Sequence, residues 1–303
     1  MLRTRRRGRD SPVLIIWIML ALPLAASADP LVVATVNYPL AYFAERIGGD
    51  AVTVRFPAPP DVDPAFWEPD ADDIQDFQGA DLILLNGAGY ARWVANFTLP
   101  RRKLVDTSRG FRDEYLPSSG GVIHSHGPQG GHSHTGVAFT TWLDPQQAIA
   151  QARAVEAALK RLRPEHAELF TVRAIELAAD LAAVHERLAA AFAALDGRPL
   201  LASHPVYQYL ARRYGRDVRA LLWEPDTLPD DDDWHALDTL LAERPAGWML
   251  WEDEPLATTR ERLAERGVDI IVFRPGGNRP KSGDYLSLTD DNVDAVREAS
   301  DKP

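Results

Sequence analysis

One continuous helical stretch in the middle of the chain constrains the fold more than any other feature. Residues 165–195 are strongly helical, and their large apolar residues recur at helical spacing. This apolar stripe consists of Leu177, Leu181, Val184, Leu188, Phe192 and Leu195. At about 1.5 Å per residue the helix would be roughly 45 Å long, which is the length of a whole lobe. The sequence therefore predicts a rod that links two lobes.

Strand and helix signals alternate on both sides of this helix. Before it, we predict strands at 31–36, 52–56 and 80–85, with helices at 40–47 and 70–77 and a third that begins after Pro145 and is broken by Pro164. After it, we predict strands at 200–203, 248–251 and 270–273, with helices at 206–214 and 258–266. This alternation is typical of α/β lobes, each built on a mostly parallel sheet flanked by helices.

The first 28 residues have the features of a secretory signal. Five arginines precede an apolar run at 13–25, and Ala26-Ser27-Ala28 forms a small-x-small cleavage pattern. The apolar run is short for a transmembrane span, although an uncleaved anchor is the alternative. We predict a signal peptide at 1–28, an N-terminal lobe at 29–163, a linking helix at 164–196 and a C-terminal lobe at 197–303. The mature protein would be periplasmic.

Charge and cysteine content exclude several classes of protein. The net charge is −11, and without residues 1–28 there remain 28 basic and 43 acidic residues, a net charge of −15. This balance argues against binding to nucleic acid or to anionic membranes. Since the chain has no cysteine, disulfides, thiolate metal sites, cysteine nucleophiles and a lipoprotein-type anchor are excluded. We expect a soluble monomer that does not insert into the membrane after signal cleavage.

Residues 117–137 combine glycine, serine and histidine with little else, so we predict a mobile loop without a core. Four of the eight histidines lie here, as His124 with His126 and His132 with His134. Imidazole is the commonest protein ligand for borderline divalent cations, and paired H-x-H units suit zinc above all. The segment is therefore a candidate metal site, and a solvated loop with incidental histidines is the alternative.

Enzyme motifs are missing from the sequence. It has no G-x-S-x-G elbow, no phosphate-binding glycine loop and no H-E-x-x-H pair. We therefore expect a binding protein that is not an enzyme.

An ordered set of short motifs carries a family resemblance. The N-terminal half has Asp63-Pro64 followed by Trp67-Glu68-Pro69, and the histidine-rich loop runs into Trp142-Leu-Asp-Pro145. Ser203-His204-Pro205 and Asp284-Tyr285-Leu286 follow in the C-terminal half. Across nearly all of the mature chain, the sequence resembles the solute-binding proteins of zinc and manganese ABC importers. The resemblance implies two lobes bridged by one rigid helix, a metal in the cleft between them, and a permease and an ATPase as partners.

Three of the four ligand positions that this resemblance implies are altered. Ala65 and Thr140 stand where the family has histidines, and Arg274 stands where it has an acidic residue. Only His204 is kept. Alanine donates nothing, a threonine hydroxyl is a poor ligand, and an arginine has no lone pair to give. We therefore expect a non-standard site in which histidines of the loop join His204.

Three hypotheses remain open from the sequence. The first is an importer-type binding protein for zinc, with manganese second, that uses His204 and the histidine-rich loop. The second is a binding protein for an anionic small molecule or metal chelate, held by Arg274 and by cleft tryptophans, Trp67 and Trp93. The third is a periplasmic zinc chaperone or buffer in which only the loop binds metal.

Overall fold

The computed structural model describes residues 29–60, 62–118, 123–125, 131–133, 136–195 and 197–301 of the chain, and the side chains of 123–125 and 131–133 are outside that description. The predicted signal peptide at 1–28 lies outside the described residues. No helix within these ranges is long and apolar enough to cross a membrane.

A four-stranded sheet forms the centre of the N-terminal half. Its strands are β1 (Leu31–Thr35), β2 (Val52–Arg55), β3 (Leu82–Leu85) and β4 (Leu104–Asp106). All neighbours pair in parallel, in the order β2-β1-β3-β4. The first three strands were predicted within two residues at each end. The short strand β4 was not predicted, because three residues are too few to establish a period.

Three helices accompany this sheet: α1 (Tyr38–Gly48), α2 (Ala71–Gly79) and α3 (Pro145–Leu162). Each begins at a side-chain cap that accepts a backbone N–H from the first turn, namely Asn37, Asp70 and Asp144. Two of these caps are followed by proline at the first or second position, which suits a helix start. These local signals explain why the predicted helix starts lie within two residues of the observed ones.

The segment at 117–137, predicted to be a mobile loop, contains short strands. β5 (Pro117–Ser118) pairs antiparallel with β8 (Gly136–Val137), and β6 (Ile123–Ser125) pairs antiparallel with β7 (Gly131–Ser133). These strands lie within the segment predicted to be a mobile loop, and backbone pairing between two nearby strands does not need apolar side chains.

The long helix α4 spans Ala167–Ala194, and a single 3₁₀ turn (Pro164–His166) leads into it. The predicted linking helix is therefore present, with its start displaced by the turn that Pro164 opens. All six residues of the predicted apolar stripe are buried.

The C-terminal half repeats the architecture of the first. Its strands are β9 (Leu200–Ala202), β10 (Val218–Ala220), β11 (Trp248–Trp251) and β12 (Asp269–Val272). They are parallel, in the order β10-β9-β11-β12, which is the connectivity of the first sheet. The helices are α5 (Gln208–Arg213), α6 (Asp231–Glu243), α7 (Ala257–Ala264) and α8 (Tyr285–Ser300). The short strand β10 was not predicted.

Helix α4 joins the two halves through packing and ion pairs. Its buried residues belong to one apolar core that also contains Val33 of the first sheet and Leu250 of the second. Asp180 forms an ion pair with Arg46 of α1, with 2.7 Å between Oδ2 and Nη2, and Arg187 forms an ion pair with Asp290 of α8. The predicted fold class, two α/β lobes bridged by one long helix, is therefore confirmed. The division of the chain at residues 163 and 197 stays a prediction.

Candidate functional site

Three adjacent strands of the second sheet end beside one buried histidine. His204 follows the central strand β9, while Glu252 follows β11 on one side. Glu224 belongs to the segment after β10 on the other side, and the N–H of Trp223 donates to the carbonyl of Ser203 at 3.0 Å. Because the carboxyl ends of parallel strands share one edge of a sheet, the strand order places His204 between two carboxylates.

Both ring nitrogens of His204 face carboxylate oxygens. The Nε2–Oε1 distance to Glu224 is 3.2 Å, and the Nδ1–Oε1 distance to Glu252 is 3.5 Å. The imidazole is 2% exposed, whereas the two carboxylates keep 24% and 30% of their side chains exposed. The histidine is thus enclosed, and the acids line a partly open rim above it.

The charges around His204 decide its protonation. Burial alone would lower its pKa, but the carboxylates of Glu252 and Glu224, with a smaller contribution from Asp63, raise the pKa above its usual value. This geometry is that of an imidazolium held between carboxylates. A cation that took the place of a proton on one ring nitrogen would meet the carboxylate that faces that nitrogen.

Asp63 reaches this site from the other half of the molecule. It lies on the long segment after β2, where its Oδ1 accepts the N–H of Ala65 at 2.9 Å. Asn278 of the C-terminal half fastens this segment, since its amide donates to the carbonyls of Pro59 at 2.6 Å and Val62 at 2.8 Å. The cross-link holds the Asp63 segment against the edge of the second sheet.

The altered positions of the resemblance lie in different environments. Ala65 is buried and has no donor atom on its side chain. Thr140 is also buried, and its hydroxyl donates to the carbonyl of Val206, two residues after His204. Position 140 therefore adjoins the His204 segment, although its hydroxyl is engaged by backbone.

Arg274 is neutralised by an acidic neighbour. Its Nη2 lies 2.8 Å and its Nε 3.1 Å from Oδ1 of Asp253, and Lys281 lies 3.8 Å from the other carboxylate oxygen. Burial alone would raise the pKa of Asp253, but the N–H of Glu254 and the Arg274 guanidinium lower it. Arg274 directs two of its N–H groups at this carboxylate, and this arrangement adds no support to Arg274 as an anion receptor.

The two tryptophans expected as cleft contacts are buried in the apolar core, and their role as ligand contacts stays a prediction. Trp67 is 8% and Trp93 3% exposed, and their rings meet edge to face at 6.3 Å in the N-terminal half. Trp93 also packs on Phe77 at 4.8 Å. Their position follows from the apolar packing of α2, which the sequence pattern alone does not separate from a binding role.

The histidine-rich segment is only partly described. His126 and His134 lie outside the described residues. His124 and His132 are register partners in the pairing of β6 with β7, but their side chains are outside the description as well. Their role as ligands stays a prediction. Among the described residues, no three His, Asp or Glu side chains are grouped closely enough to hold a metal as they stand.

Comparison with known families decides the affiliation of the chain. The family described as "ZnuA: Zinc-uptake complex component A periplasmic" matches residues 32–299. The chain belongs to the ZnuA family.

Relatives of this family span most of the chain. The high-affinity zinc uptake system protein ZnuA of Bacillus subtilis is 24% identical over 291 residues, covering 90% of this chain and 89% of the relative. The manganese ABC transporter substrate-binding lipoprotein PsaA of Streptococcus pneumoniae is 24% identical over 211 residues, covering 67% and 64%. The crystal structure of the metal-dependent lipoprotein YcdH from Bacillus subtilis has the same fold, with a TM-score of 0.74 at 22% identity over 88% of this chain and 98% of that one.

Membership in the ZnuA family confirms the predicted family resemblance and the prediction that the chain is a binding protein and not an enzyme. ZnuA-family proteins are the substrate-binding components of ABC uptake systems and are not enzymes. The resemblance inferred from the ordered motifs was therefore correct.

Three acidic residues of the site were missed in the sequence. Glu252 is the first residue after a correctly predicted strand, and Asp63 opens a motif that was quoted for its neighbours. A search for acids at strand ends would have found Glu252. Glu224 follows the unpredicted strand β10, so no local signal pointed to it.

Proposed function

We propose that this chain is the periplasmic binding component of an ABC importer for a divalent cation, zinc first and manganese second. His204 would bind the cation together with Glu252, Glu224 and Asp63. The observation that carries the proposal is a buried imidazole whose two nitrogens face two carboxylates where three adjacent strands end. The permease and ATPase of the importer would be its partners.

The donor set suits a divalent cation. With a neutral His204, the three carboxylates carry three negative charges against the two positive charges of the ion. Zinc accepts imidazole nitrogen and carboxylate oxygen at about 2.0–2.2 Å, while carboxylate-rich sites also suit manganese. The oxygens now lie 3.2 and 3.5 Å from the ring nitrogens. Two donors that each lie about 2.1 Å from one tetrahedral cation are about 3.4 Å apart, so each of these separations suits a nitrogen and an oxygen that share a cation.

The histidine-rich segment would supply further imidazoles. His124, His126, His132 and His134 would replace the donors that Ala65 and Thr140 do not provide. The names of the relatives support this choice of cations, because one is a high-affinity zinc uptake protein and another belongs to a manganese transporter.

The alternative of a zinc chaperone or buffer makes a different prediction about which residues matter. If only the loop bound metal, the buried site at His204 would have no part in affinity. The anionic-ligand alternative has no support from Arg274, whose charge Asp253 matches.

Titration of zinc into metal-free protein of residues 29–303, in competition with a chromophoric chelator, tests the proposal. The variants are His204→Ala, a deletion of residues 122–136, and His235→Ala as a control on the exposed face of α6. We expect one-to-one binding that His204→Ala weakens by more than about a hundredfold, beyond the 10- to 100-fold typical of residues behind a metal's ligands. His235→Ala should bind as the unchanged protein does.

Two results would overturn the proposal. Binding that is lost only with residues 122–136 and is indifferent to His204→Ala would favour the buffer. A protein that stays free of metal in excess zinc and excess manganese would remove the importer assignment altogether.

A further inference from the structure

A strained turn leads into a buried tyrosine beside the proposed cation site. After β3 the chain turns at residues 87–90, where the N–H of Tyr90 donates to the carbonyl of Gly87 at 3.1 Å. The two central residues, Ala88 and Gly89, have φ of 51° and 72°. Ala88 is the one non-glycine residue with positive φ in the described part of the chain. Backbone strain of this kind clusters where function requires a fixed geometry.

The turn is fixed by contacts with the neighbouring strand end. A side chain at Gly87 would collide with Ser108 Oγ and Asp106 Oδ1, so these groups pack directly against the backbone. The N–H of Ala88 donates to the Tyr115 hydroxyl at 3.1 Å. The position of Tyr90 is therefore determined by the turn as well as by the packing of its own ring.

The Tyr90 ring is buried between aromatic neighbours. The ring meets Phe139 and Trp142 edge to face at 5.3 and 5.5 Å, and the residue is 2% exposed. Its hydroxyl finds no hydrogen-bond partner among the residues that the structure describes. A buried hydroxyl without a partner costs free energy, so such a group calls for an explanation.

The hydroxyl lies at the boundary between the two halves. A Cβ at Gly277, in the C-terminal half, would stand 3.3 Å from the Tyr90 oxygen. Burial and then the charge of Asp63 raise the pKa of Tyr90 well above its usual value, so the phenol stays a donor at all physiological pH. The Tyr90 ring packs on Phe139, and the next residue, Thr140, donates to the carbonyl of Val206, two residues after His204. Tyr90 therefore lies close to the segment that carries His204.

We propose that Tyr90 is a specificity-determining residue of the cation site, whose hydroxyl donates a hydrogen bond to an oxygen of the bound cation's coordination shell. The acceptor is a water that completes the shell of a six-coordinate cation, since Asp63 would serve either cation. This inference rests on the proposed function. The shell of the cation would supply the hydrogen-bond partner that the Tyr90 hydroxyl lacks among the described residues.

The Tyr90 hydroxyl would affect which metal the site prefers. Zinc prefers four ligands and can fill them with nitrogen and carboxylate donors, whereas manganese suits octahedral, oxygen-rich shells. A donor aimed at a shell oxygen therefore favours manganese more than zinc. Removing the hydroxyl should shift the selectivity of the site towards zinc.

Tyr90→Phe tests this directly, with Tyr214→Phe as the matched control because the Tyr214 hydroxyl lies 3.2 Å from His185 Nδ1 on the long helix. Manganese and zinc affinities are measured separately for residues 29–303, together with the thermal stability of the metal-free proteins. We expect Tyr90→Phe to weaken manganese binding about tenfold or more, and zinc binding less. Its metal-free stability should be unchanged or higher, because a buried unpaired hydroxyl is removed. Tyr214→Phe should leave both affinities unchanged.

Three other outcomes would refute the inference on Tyr90, and one of them would also refute the proposed function. If Tyr90→Phe binds both cations as tightly as the unchanged protein, the inference on Tyr90 fails and the proposed function stands. If it loses affinity for both cations equally and is also less stable without metal, the tyrosine is a packing residue and the inference fails. If the unchanged protein binds neither cation, the proposed function and the inference fail together.

Discussion

Replacing Glu252 with glutamine removes one negative charge from the site while keeping the shape of the side chain. Glu252 Oε1 lies 3.5 Å from Nδ1 of His204. In the metal-free protein the change weakens the hold on the protonated imidazole. In the loaded protein it replaces a charged ligand by a neutral amide. The Oε1–Nδ1 distance sets the scale of the first effect, and for the second we take a cation no farther than this from the carboxylate.

Coulomb's law at this distance gives about 5 kcal/mol between unit charges at an effective dielectric of about 20, and about 1 kcal/mol in bulk water. Because 30% of the Glu252 side chain is exposed, solvent screening keeps the value near the lower limit, at about 1–2 kcal/mol per unit of positive charge. Against a doubly charged cation the loss is about 3 kcal/mol, which corresponds to about a hundredfold weaker Kd.

The assay is the same competition titration with zinc, and the chain offers a matched control. Glu254 lies two residues further along, is exposed, and pairs with Arg260 instead of His204. We expect Glu252→Gln to raise the Kd about a hundredfold and Glu254→Gln to leave it within about twofold. Equal affinities for the two variants would refute the assignment of Glu252 to the site.

Three further predictions concern the groups that support the site. The pKa of folded His204 is raised, so its contribution to stability is present below the unfolded value of about 6.5 and is lost as the pH rises through the folded pKa. Urea unfolding should therefore show the advantage of the unchanged protein over His204→Gln shrinking towards alkaline pH, and an advantage independent of pH would contradict this. Asn278→Ala removes hydrogen bonds to Pro59 and Val62, so we expect about 1–3 kcal/mol lower stability and weaker zinc binding, as Asp63 is released. Unchanged zinc affinity would show that the Asp63 segment is held by other contacts. Asp144 is fully buried, and its carboxylate oxygens lie 2.7 and 2.8 Å from Arg213. Because the Arg213 side chain is 31% exposed, Asp144→Asn should cost about 1.5–3 kcal/mol in urea unfolding, and a loss below about 1 kcal/mol would mean that the pair is not a structural clamp.

Features set by short-range order were predictable from the chain alone. The linking helix, its buried stripe from Leu177 to Leu195 and the predicted strands follow from the spacing of apolar residues, which each element carries within itself. His204 was found through the short motif Ser203-His204-Pro205 of the family resemblance, which is also local in the sequence. The α/β architecture follows from the alternation of such elements.

The composition of the site was decided only by tertiary structure. Glu224 and Glu252 flank His204 because β9 lies between β10 and β11, and strand order is a non-local property that no spacing along the chain encodes. Asp63 approaches from the other half because Asn278, more than 200 residues away, bonds to its segment. For the same reason the burial of Trp67 and Trp93 in the core could not be predicted, since an aromatic residue can face a cleft or a core with the same local sequence. Periodicity determines which face of an element is apolar, whereas the partner of that face, and hence the chemistry between two elements, depends on how distant parts of the chain pack.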